Sequence, residues 1–135
     1  MLVSPHYFLW QFIKEFELDG RSFVAVSPLL PGQSEVLGIK AMQYVHAFGL
    51  RPAEDRAFLW QHRHKIPAEL HNYWLVTNRA HDPIFFVFLW GLGRMEGEDW
   101  RGNAFGLSTP WRKDVLILLD PSLPKRVREW TSSGP

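Results

Sequence analysis

Cysteine is absent from the 135-residue chain. That excludes disulfide scaffolds, cysteine-ligated zinc, iron–sulfur clusters and thiol catalysis. Long apolar runs are missing as well. The longest, Ile84 to Trp90, has seven residues, whereas a bilayer span needs about 20, so no membrane partner is expected. Met1-Leu2-Val3-Ser4-Pro5-His6 lacks a basic region followed by an uninterrupted apolar stretch, so no signal peptide is expected. Together with the missing cysteine this predicts a cytoplasmic protein. Charge of one sign is also lacking: 15 Lys and Arg stand against 14 Asp and Glu, a formal net charge of +1. Strong attraction of the whole chain to nucleic acid or anionic lipid is therefore not built in. No Gly-x-Ser-x-Gly elbow occurs, and no Gly-Lys-Ser/Thr follows a glycine-rich loop.

What the chain does have is apolar and aromatic mass. Hydrophobic residues make up 46% and aromatics 15%, enough for a core and too much for a disordered tail. The length suits a single domain over residues 1–135, with the tail 131–135 frayed. Ser4 and Pro5 suit a helix start. Phe8, Phe12 and Phe16, with Leu9 and Ile13 beside them, mark an apolar helical face that Asp19-Gly20 ends. Phe23 to Val26 reads as a strand. Residues 34–48 fit helix or strand, with Gly38 weakening the helix. Pro52 opens a further helix that stops before Pro67. Tyr73 to Thr77, Ile84 to Trp90, Asp99 to Leu107 and Val115 to Leu119 read as strands, and Gly91 to Gly97 as a loop. Ser122 caps a last short helix through Trp130. The expected fold is α+β: a mostly antiparallel sheet packed by N-terminal helices and a short C-terminal helix. Ile84 to Trp90 must be covered on both faces, by the chain's own helices or by the second subunit of a homodimer.

Four clusters could carry chemistry. His62, His64, His71, His81 and Asp82 offer ligands for Zn, Mn or Fe and would make a small metal-dependent hydrolase. On a helix, however, His62 and His64 diverge by about 200°, and the His-Glu-x-x-His spacing is absent, so the blander reading is the cationic end of a helix. Gly91-Leu92-Gly93-Arg94-Met95-Glu96-Gly97 is similar to a dinucleotide phosphate turn but is one residue longer and opens no apolar helix. It reads better as a hairpin loop, and no cofactor is expected. Glu96, Glu98 and Asp99 on that loop suit a partner-selecting surface better than acid–base catalysis. Lys125, Arg126 and Arg128 on the C-terminal helix suit a nucleic-acid surface, but residues 62–135 carry only 10 basic against 8 acidic groups.

The seven Trp residues supply the preferred reading. Trp10, Trp74 and Trp90 lie in apolar settings and should fill the core. Trp100 and Trp111 lie among Gly, Asp, Arg, Asn, Ser, Thr and Pro, and each precedes an arginine. Trp and Arg dominate binding hot spots. Arg94, Glu96, Glu98, Asp99, Trp100, Arg101, Trp111 and Arg112 are thus the expected partner-binding residues, with both indoles exposed. The stretch Ile66 to Pro121 resembles short uncharacterised proteins of phages and prophages, through Ile66-Pro67-Ala68-Glu69-Leu70, Tyr73-Trp74-Leu75-Val76, Trp90, Asp99-Trp100, Phe105-Gly106-Leu107 and Trp111. That resemblance implies no activity, only an accessory role exercised by binding. The expectation is a protein-binding module that acts sterically, as an inhibitor, immunity or phage-type accessory protein, rather than an enzyme.

Overall fold

A computed structural model describes residues 12–47, 52–53, 56–77, 88–94 and 97–119. Its first described element is a strand, β1 (Phe12–Leu18), paired with β2 (Arg21–Val26) in an antiparallel hairpin that joins Leu18 to Arg21. Asp19 and Gly20 both take positive φ, 45° and 84°, as a two-residue primed turn requires. Asp19-Gly20 is thus a hairpin turn rather than a helix stop. Phe12 and Phe16 lie four residues apart, which satisfies a strand face as well as a helix face. Phe16 and Leu18 enter one face of the sheet, and an irregularity between Phe12 and Lys14 turns Phe12 to the other.

A short β3 (Glu35–Leu37) leads straight into helix α1 (Gly38–Ala47). The first two amides of α1 donate to the Thr109 and Leu107 carbonyls, at 3.0 and 2.8 Å, which meets two otherwise orphaned N-terminal donors. Gly38 is no defect there. A Cβ at that position would stand 2.7 Å from the Trp111 ring and 2.9 Å from the Gly106 carbonyl oxygen. Pro52 opens no helix: it bridges to Leu119, and the Ala53 amide donates to the Leu118 carbonyl at 2.8 Å. Helix α2 (Arg56–Gln61) follows, with 3-10 turns at Arg63–Lys65 and Ala68–Leu70.

The remaining strands are β4 (Trp74–Thr77), β5 (Phe88–Gly93), β6 (Arg101–Gly106), β7 (Pro110–Arg112) and β8 (Val115–Leu119). β3 and β7 form a two-stranded ribbon. The others form a mixed six-stranded sheet in the order β1-β2-β8-β4-β5-β6, with β8 parallel to β4 and the other neighbours antiparallel. The last strand in sequence therefore lies in the middle, and all five of its residues are buried. Successive residues alternate between faces. Val24, Val26, Val76, Val115, Ile117 and Leu119 share one buried cluster with Ala41, Met42 and Val45 of α1 and with Trp111 of the ribbon. Phe23, Ala25, Leu75, Leu92, Leu116 and Leu118 share a second with Leu59, Ile66, Leu70 and Trp100.

The molecule is therefore mostly sheet, with two α-helices among the described residues, and the expected α+β arrangement of N-terminal helices laid on a mostly antiparallel sheet is corrected. Gly91 to Gly93, expected as loop, continue β5. The expected C-terminal helix, the frayed tail and residues 84–87 of the apolar run lie outside the described residues. No helix among the described residues is long and apolar enough to cross a membrane.

Candidate functional site: the β5–β6 edge

Three glycines shape the outer hairpin. A Cβ on Gly91 would stand 2.3 Å from the Phe105 ring, one on Gly93 would stand 2.5 Å from the Trp74 ring, and one on Gly102 would stand 2.4 Å from Trp90 Nε1. Each bare Cα is thus a seat for a ring from a neighbouring strand, the way aromatics cover strand glycines. Trp74 and Phe105 also meet each other, with centroids 5.5 Å apart. The Arg101 guanidinium lies 5.8 Å from the Trp74 centroid, within cation–π range.

β6 is the edge strand beyond this aromatic layer. Arg101, Gly102, Asn103 and Ala104 are all exposed. The Ala104 amide donates to the side-chain Oδ1 of Asn103 at 3.0 Å, so it points away from β5. In an antiparallel pair the N–H and C=O of one residue face the same side, and successive residues alternate. Gly102 and Ala104 therefore turn their backbone groups outward. At the far end of the strand, the Gly106 carbonyl accepts from Trp111 Nε1 at 3.1 Å and from Thr109 Oγ1 at 2.7 Å.

The predicted partner-binding residues divide on this geometry. Trp100 is 4% exposed and Trp111 is 1% exposed, so the expectation of two exposed indoles is corrected. They sit in different clusters, on opposite faces of the sheet. Trp100 meets the His71 ring edge-on at 5.2 Å, and Trp111 meets Phe105 edge-on at 6.3 Å. Neither can serve as an anchor that a partner reaches. Asp99 is exposed, and its Oδ1 accepts the Trp100 amide at 2.8 Å. Glu98 and Arg101 are exposed, and Arg94 lies 5.9 Å from the Trp100 centroid. Arg112, on the separate ribbon, meets Glu35 at 3.5 Å. Glu96 lies outside the described residues.

The alternative sites fare as follows. His62 Nδ1 donates to the Phe58 carbonyl at 2.9 Å, its ring packs tilted against Phe58 with centroids 4.2 Å apart, and Nε2 stands 3.5 Å from Asp19 Oδ2. His71 Nε2 donates to the Ile66 carbonyl at 2.8 Å. Both rings are held by their own local structure, and His64 points to solvent. Among the described residues no three His, Asp or Glu side chains gather as metal ligands. His81 and Asp82, and the basic trio Lys125, Arg126 and Arg128, lie outside the described residues.

Sequence reasoning missed the exposed tryptophan. Trp60 is 40% exposed, and Arg63 lies over its ring at 4.2 Å. The spacing Arg56-x-x-x-Trp60-x-x-Arg63 on a helical face was the signal for it. No protein-family model matches the chain, and no curated protein or solved structure does either.

Proposed function

We propose that the chain is a protein-binding module that acts sterically, as an inhibitor, immunity or phage-type accessory protein, and that its partner docks along β6. One observation carries this reading. Four consecutive exposed residues, Arg101–Ala104, form an edge strand whose outward Ala104 amide is held, among the described residues, by the neighbouring Asn103 side chain. An extended partner segment can displace that side chain and add a strand, with main-chain hydrogen bonds for affinity. Arg101, Glu98 and Asp99 then stand at the rim, where charge selects partners and sets the rate of encounter. Trp74, Trp90 and Phe105 pack their rings on the glycines of this hairpin. A cytoplasmic setting belongs to this reading and rests on the cysteine-free sequence.

The test is a pair of prolines. Ala104→Pro removes the outward donor and leaves the β5 ladder intact, since edge strands tolerate proline on their free side. Asn103→Pro removes an inward donor and lowers the melting temperature. Capture of a stoichiometric protein from host lysate, with nuclease present, should be lost in Ala104→Pro while its melting curve stays native. Undiminished capture by a folded Ala104→Pro would remove the edge from the account. Light scattering of the free protein distinguishes a second copy on this edge from a different partner.

A further inference from the structure

A second surface lies across the sheet face that carries α2, and it shares only Trp90 with the β5–β6 edge. Arg56 is exposed and places its guanidinium 5.0 Å from the Trp90 centroid. Trp60, four residues on and on the same side of the helix, is 40% exposed. Arg63 then lies 4.2 Å over the Trp60 ring. The result is a row in which indoles and guanidinium groups follow one another: Trp90, Arg56, Trp60, Arg63.

The row is pinned. Arg63 Nη1 donates to the Trp60 carbonyl at 2.8 Å, while Nε of the same guanidinium is buried and has no hydrogen-bond partner. A free arginine at a helix end would turn that donor to water. Here the guanidinium stays over the ring, within cation–π range, with that donor unmet. Arginine and tryptophan in such stacks present π-faces and fixed positive charge together.

The charges within the row itself are basic. Residues 56–65 contain Arg56, Arg63 and Lys65, with His62 and His64, and no acid. Two acids on adjoining elements are paired: Asp19 faces His62 at 3.5 Å, and Glu69 bridges Lys14 at 2.7 Å. Glu54 and Asp55, just before the row, lie outside the described residues. Residues 56–65 thus form a short basic stretch that carries the exposed Trp60 ring.

We infer that this row binds single-stranded nucleic acid, with bases stacking on the indole and guanidinium planes and phosphates meeting Arg56, Arg63 and Lys65. Stacking platforms within a cationic track are how such strands are held without sequence preference. An acidic polypeptide would use the charge and leave the rings idle. A regular duplex would keep its bases out of reach. Trp60, Arg63 and Lys65 take no part in the β6 edge, which the row meets only at Trp90, so the variants at Trp60 and Arg63 test this reading alone.

The experiment is fluorescence anisotropy of a labelled oligothymidylate of about 15 nucleotides with the full chain. Binding should exceed that of a duplex of equal length. The logarithm of affinity should fall with the logarithm of salt at a slope of about −2, for about three phosphates neutralised on a single strand. Trp60→Ala should weaken binding about fivefold or more, Trp60→Phe should keep most of it, and Arg63→Gln should lower both affinity and slope. Ala104→Pro should bind as the parent does. Because Trp60 is exposed, its variants should melt normally. No binding to the oligonucleotide, equal binding by Trp60→Ala, or equal displacement by polyglutamate of matched charge would each overturn the proposal, the last in favour of an acidic protein segment.

Discussion

The centre of the sheet and its outer hairpin reach burial by opposite means. Between β2 and β4 the chain supplies mainly aliphatic side chains to both faces: Val24 to Val26, Leu75 and Val76, and the whole of Val115–Leu119 are buried. From β4 outward it supplies glycines, and large rings from adjacent strands lie on them. The aliphatic centre is filled by volume, and its register is fixed because a slip by one residue would exchange the two cores. The hairpin is filled by flat surfaces, and its shape depends on three positions having no side chain. That difference leaves the centre committed to stability, and it leaves Arg101–Ala104 of β6 exposed at the sheet edge among the described residues.

The sharpest way to break the comparison is to change volume in each region. Leu118→Ala, at a fully buried site of the central strand, should destabilise by about 2–5 kcal/mol, the range for a leucine truncated in a close-packed interior. Urea denaturation measures it, and a loss below about 1 kcal/mol would mean that the centre repacks. In the hairpin the opposite change should do harm. Gly91→Ala adds one methyl under the Phe105 ring and should cost about 1–3 kcal/mol, as overpacking does. In a Phe105→Ala background that penalty should vanish, because the clashing ring is gone. An unchanged penalty would place the strain elsewhere.

The smallest effect lies on the surface. Lys14 Nζ stands 2.7 Å from Glu69 Oε2, and its hydrogen bond and charge hold the Glu69 carboxyl below its ordinary range. A lowered folded value means that any stabilisation is present above the ordinary carboxylate range and is lost as pH falls through the lowered one. The pair is exposed, so the melting temperature should barely move. An NMR titration should show the Glu69 carboxyl return to its ordinary range in Lys14→Met.

The sequence exposed the strands that sit in the middle of the sheet. Phe23 to Val26, Tyr73 to Thr77 and Val115 to Leu119 are apolar runs bounded by turn residues, and each became a strand within a residue or two. β1 was obscured because a spacing of four fits both periods and because Asp-Gly serves both to stop a helix and to turn a hairpin. The misplacement of Trp111 has a simpler cause. In β7 the burial alternates exposed, buried, exposed through Pro110, Trp111 and Arg112. A ribbon with one face inward places polar neighbours on either side of its core residue, so polar context is what a buried indole there should show. Trp100, between exposed Asp99 and Arg101, is the same case. Trp60 was hidden for the converse reason: its neighbours Phe58 and Leu59 look like core, but the helix turns Trp60 outward.

The measurement that bears most directly on the β6 edge is amide hydrogen exchange, residue by residue, in the free protein and in the captured complex. In the free protein the Gly102 and Ala104 amides should exchange quickly and those of Arg101, Asn103 and Phe105 slowly, following the alternation of the ladder. In the complex Gly102 and Ala104 should become protected. Slow exchange at Ala104 in the free chain, or protection in the complex confined to other elements, would contradict docking on this strand.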